Sequence, residues 1–223
     1  MKKVFEGEKM MKKLLTISLI AAVMLAIGTP AKANVTYSFV CITNTSSTNA
    51  AIGEAQMFVD VSNLGGNNVL FTFRNIGPDA SSICDVYFDD GALLGIASIT
   101  GSGGVSFSQP ATPANLPGGH TVLPPFVTTD EFSADSDPPA QPNGVNPGEW
   151  LGITFNLQTG QDFGDVTDDL ASGALRIGIH VQAFPNGGSE SFVNNGVIPA
   201  PGAILLGSIG VGLVGWLRRR RTL

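Results

Sequence analysis

Alternation with a period of two dominates the middle of this chain and commits it to strands. Across residues 174–183, Leu175, Ile177, Ile179 and Val181 fall on one side, while Arg176, His180 and Gln182 fall on the other. Successive side chains of a strand point to opposite faces, so this pattern describes a strand with one face buried and one wet. Leu151, Ile153, Phe155 and Leu157 repeat it, and residues 35–41, 55–61 and 69–74 alternate in the same way. Residues 83–88 do so more loosely. Turn-forming groups rich in Gly, Asn, Asp and Pro separate these runs at 64–68, 75–79, 89–91 and 101–104. One helix is expected, over 165–172, with acids in its first turn and Gly173 as its stop. The expected fold is therefore all-β: an antiparallel β-sandwich, jelly-roll-like or Ig-like, with one short helix.

Residues 109–148 interrupt the alternation and hold nine of the fourteen prolines. Structureless loops of that length are uncommon in a compact domain. The segment reads as a long surface excursion from a single body, with short strands of its own near 122–132. Two roles stand open for it, a binding loop or a Pro-stiffened cover over a sheet edge.

The two ends follow other rules. Lys12 and Lys13 precede an apolar run over 14–27, and Ala31 and Ala33 put small residues at −3 and −1 of a cleavage site after Ala33. That order is a secretory signal, assigned to residues 1–33. At the other end, Pro199-Ala200-Pro201-Gly202 leads into the apolar segment 203–217 and then Arg218, Arg219, Arg220 and Arg221. Fifteen residues of helix rise about 22 Å, a marginal span of a ~30 Å hydrocarbon core. The arginine cluster would hold that end in the cytoplasm, leaving everything before it outside.

This tail, residues 198–223, resembles the PEP-CTERM sorting signal in a Pro-Ala-Pro variant. The same tail is also labelled an ice-binding-protein C-terminal region, a label that says nothing of what the body binds. The resemblance implies a substrate of exosortase, a membrane-embedded transpeptidase that recognises such tails and removes them at or near the Pro motif. It further implies passage through the general secretion machinery, transient anchoring in the membrane by the C-terminal helix, and release to the cell surface or the extracellular space. A plain single-span membrane protein is the alternative.

Between the ends lies the body, residues 34–197. It holds two basic residues, Arg74 and Arg176, against sixteen acidic ones, a formal charge of −14. Such a surface repels nucleic acid and anionic membranes. Cys41 and Cys84, its two cysteines, are a disulfide candidate in an exported protein, with two free thiols as the alternative. Asp89 and Asp90 at a strand end, with Asp130, Glu131, Asp135 and Asp137 in the long loop, are the candidate oxygen ligands for calcium. No other cofactor is expected. No Gly-x-Ser-x-Gly elbow, His-Glu-x-x-His or Cys-x-x-Cys is present, and His180 reads as a solvated sheet residue, so no catalytic residues are assigned and the chain is not expected to be an enzyme. Two functions are carried forward. One is an exported structural protein of the envelope or extracellular matrix, associated with exopolysaccharide. The other is a secreted carbohydrate- or calcium-binding module.

Overall fold

A computed structural model describes residues 34–89 and 91–198. The strands are β1 Asn34–Cys41, β2 Met57–Gly65, β3 Asn68–Asn75, β4 Ser82–Asp89, β5 Leu93–Gly101, β6 Phe107–Ser108, β7 Ser133–Ser136, β8 Trp150–Leu157, β9 Arg176–Gln182 and β10 Glu190–Ile198. The helices are α1 Ser47–Gln56, the single turn α2 Ala140–Asn143 and α3 Phe163–Ser172. All ten strands join one antiparallel sheet in the order β5-β8-β3-β2-β1-β10-β9-β4-β7-β6.

Four strands separate β3 from β4 in that order, yet the Phe71 and Phe88 rings meet edge-to-face at 5.0 Å. Phe88 also meets Phe155 of β8 at 4.7 Å. The sheet therefore curls until its halves face each other across one core, and it is nearly closed. Its inward positions are the alternating apolar residues: Val59 and Val61, Phe71 and Phe73, Ile153 and Phe155, Ile177 and Ile179. The expectation of antiparallel β structure with few helices is met. The hydrogen bonds run through one continuous sheet rather than two separate ones.

The expected helix is α3. Asp162 caps it, accepting from the Gly164 and Asp165 amides, and Asp165 returns a bond to the Asp162 amide. Gly173 ends it in the left-handed conformation, which glycine adopts without a Cβ penalty. It is not the only helix. Residues 47–56, of which Asn49, Ala50, Gly53 and Gln56 are buried, form α1 under the Ser46 cap. Gly53 lets that helix approach the sheet, since a Cβ there would lie 2.1 Å from the Phe192 ring.

The excursion also differs from expectation. No strand forms over 122–132; the segment's own strand is β7, which pairs with β4. Ala111, Leu116 and Phe126 pack onto Tyr87 of β4 and Val193 of β10, so the segment covers a sheet face rather than an edge alone. Gly178 of β9 supplies the hollow they fill: a Cβ there would sit 2.7 Å from Leu116 Cδ2 and 3.1 Å from Phe126 Cζ.

Candidate functional site

Three places on the body bring chemistry together: the covered face, the end of the β1–β10 pair where β1 stops and β10 starts, and the opposite, uncovered face.

On the covered face, register aligns Ser191 of β10, His180 of β9, Asp85 of β4 and Asp135 of β7 in one cross-strand row. His180 Nδ1 lies 2.7 Å from Asp85 Oδ2, with side-chain exposures of 13% and 7%. His180 is therefore an enclosed, paired side chain and not a solvated one. Asp135 faces Asp85 directly and accepts a bond from the Thr112 amide of the cover at 3.1 Å. Burial raises the Asp135 carboxyl above its ordinary value; the Thr112 bond opposes this and the Asp85 charge adds to it. The Ser191 hydroxyl is buried without a hydrogen-bond partner. The cover is latched by Arg176, which donates to the Pro124 carbonyl at 2.6 Å, the Pro125 carbonyl at 2.5 Å and the Asp89 carboxylate. Its guanidinium lies 5.3 Å from the Phe126 ring centre. The Tyr87 hydroxyl donates to the Pro113 carbonyl at 3.0 Å.

Of the six expected calcium ligands, Asp89, Asp135 and Asp137 are each engaged by a different partner. Asp89 is held by Arg176 and the Val127 amide. Asp135 is turned to Asp85, while Asp137 accepts from Ser106 at 2.5 Å and Ser108 at 2.7 Å. Asp130 and Glu131 are exposed beside a polar cleft of about 570 Å³. Asp90 lies outside the described residues. Among the described residues no three His, Cys, Asp or Glu side chains come together as a metal site.

The disulfide expectation is also corrected. Both cysteines are free thiols. Cys41 is on β1 and Cys84 on β4, with β10 and β9 between them. At about 4.8 Å per strand this is roughly 14 Å, twice what a disulfide spans. Burial pushes the Cys84 thiol up to about 11.

β1 and β10 are neighbours at the middle of the sheet, with Thr36 opposite Ile198 at one end and Cys41 opposite Phe192 at the other. Glu190, at the start of β10, clamps the loop after β1. Its carboxylate accepts from the Thr43 and Thr45 hydroxyls and from the Thr45 and Ser46 amides. Burial alone would raise its carboxyl, and these bonds outweigh it, holding the group below the usual range.

No protein-family model matches this chain, and neither a curated protein nor a solved structure is similar to it. The signal residues Ala31 and Ala33 and the tail motif Pro199, Ala200, Pro201, Gly202 and Arg218 to Arg221 lie outside the described residues. Among the described residues no helix is long and apolar enough to cross a membrane. Sequence reasoning passed over Asp85 and Glu190 because an acid within a strand carries no mark of the partner it meets across the sheet. Trp150 carried one visible sign, an aromatic residue on the polar side of an alternating run.

Proposed function

We propose that this chain is an exported surface or extracellular-matrix structural protein, associated with exopolysaccharide, whose tail is a sorting signal processed by an exosortase. The observation that carries the reading is the three-part tail: a Pro-Ala-Pro motif, a marginal apolar span and four consecutive arginines. β1 and β10 pair side by side with Thr36 opposite Ile198, so the two processed ends would leave the body next to each other. The curled sheet is, in this reading, a sandwich in the broad sense, with jelly-roll or Ig strand order unassigned.

Export gives a direct test. Intact cells producing the chain are treated with an impermeant biotin reagent, which requires a lysine added to the otherwise lysine-free body, for example Asn115→Lys on the exposed cover. The chain is expected to label on intact cells, and deletion of residues 198–223 is expected to shift it to the medium. Labelling only after lysis would overturn the proposal.

A further inference from the structure

Half of the curled sheet has a bare outer face. On β8, β3 and β2, Trp150 stands opposite Arg74, and Arg74 opposite Phe58, in one cross-strand row. Trp150 is 41% exposed, whereas Leu151, Ile153, Phe155 and Leu157 on the inward side of the same strand are enclosed. Arg74 does not float between the rings. Asp60 holds it through Nε at 2.5 Å and Nη2 at 3.1 Å, and its guanidinium carbon lies 5.9 Å from the Phe58 ring centre. In the next row stand Thr100, Gly152, Thr72 and Asp60. Gly152 matters there by what it lacks. A Cβ on it would touch Thr100 Oγ1 at 3.0 Å and the Trp150 ring at 3.5 Å, so the indole reaches over a position with no side chain.

The outward positions of β1, β2, β3, β8 and β5 carry Asp60 and Arg74 as their charges, and these two neutralise each other. A body of formal charge −14 thus keeps one face neutral, lined by hydroxyls and floored by an exposed indole. A nucleic acid would want a basic surface, and the one basic residue here, Arg74, is neutralised by Asp60. A neutral sugar polymer wants what is present: an aromatic surface for the C–H face of a ring, and hydroxyl, guanidinium and carboxylate groups for its hydroxyls.

We propose that this face, centred on Trp150 and bordered by Phe58, Arg74, Thr72 and Thr100, binds a neutral polysaccharide. The proposal rests on the exopolysaccharide-associated reading above and gives it a site, away from the acidic loops at Asp89 and 130–137.

The chain has two tryptophans, and Trp216 lies in the tail, so protein carrying Trp216→Phe has Trp150 as its sole indole whether or not the tail is removed. It is titrated with cellohexaose, mannohexaose and dextran, and with polygalacturonate as the anionic comparison. In parallel it is run through native gels containing each polymer. At least one neutral saccharide should shift the Trp150 emission and retard the protein. Trp150→Ala should weaken that retardation at least tenfold with an unchanged melting temperature, and Trp150→Phe should restore part of it. Retardation that survives Trp150→Ala would overturn this face while leaving a matrix role standing. Retardation by no neutral polymer, or by polygalacturonate in preference, would overturn it as well. Export and tail processing are read by other measurements and do not move with these outcomes.

Discussion

The two outer faces of this sheet each hold one of the body's two arginines, and the proteins around those arginines are built in opposite ways. Arg176 lies under the Pro-rich cover with a side-chain exposure of 15%, bound to a carboxylate, two carbonyls and an aromatic ring. Arg74 lies on the bare face with an exposure of 37%, bound to one carboxylate and lying over the Phe58 ring, with no backbone carbonyl. The same strand chemistry, an arginine on the polar side of an alternating run, becomes a structural latch where chain folds over it. It remains a surface group where none does. The difference teaches that alternation tells which side of a strand is outward and not whether outward means wet.

The largest expected contrast is between the arginines themselves. Arg176→Ala would leave the Asp89 carboxylate and the cover's carbonyls without their donor, and should cost about 3 kcal/mol in urea denaturation, with faster proteolysis within 109–132. Arg74→Ala removes a surface pair and should cost under about 1 kcal/mol. Equal costs would erase the distinction between the faces.

The glycines sharpen it next. Gly178→Ala pushes a methyl into Leu116 and Phe126 and should cost about 2 kcal/mol by overpacking. Gly152→Ala meets the movable end of Thr100 and should stay within about 0.5 kcal/mol of the parent. Thermal melts of the two variants side by side make the comparison.

The smallest effect is in pH. The Asp135 carboxyl is raised in the folded state, so its contribution to stability is complete at acid pH and is lost as pH rises through that raised value. Asp135→Asn should therefore gain under about 1 kcal/mol over the parent at neutral pH, and the gain should vanish in acid. Glu190 runs the other way. Its carboxyl is lowered, so its contribution is present at neutral pH and is lost as pH falls through the lowered value. Urea midpoints across pH for the parent and both Asp135→Asn and Glu190→Gln would separate the two signs.

Much of the sheet was legible. Strict alternation marked β1, β2, β3, β8 and β9, and the acidic start and glycine stop marked α3. What failed to show did so for physical reasons. β5 carries register shifts between Leu93 and Gly95 and between Ile96 and Ser98, and each shift breaks the period of two. β10 begins with a buried glutamate and carries an irregularity opposite 37–39, so it reads as polar loop. α1 buries Asn49, Gly53 and Gln56, residues whose burial depends on partners far along the chain, as with Gln56 and the Asp79 carbonyl. The candidate sites were less legible still. The cysteines sat on strands as expected, but strand order decides whether strands adjoin, and no local pattern encodes it. The same order brought His180 to Asp85 and set Asp135 across from Asp85, while Asp137 turned to Ser106 and Ser108.

The central claim is that both ends of the chain are removed to release this body, and intact-mass measurement of the mature protein tests it most directly. The account predicts a chain that begins at Asn34 and ends near the Pro199-Ala200-Pro201 motif in cells with the processing enzyme, and one that begins at Asn34 and retains Leu223 in cells without it. A chain that keeps residues 1–33, or one that ends at Leu223 in both, would contradict it.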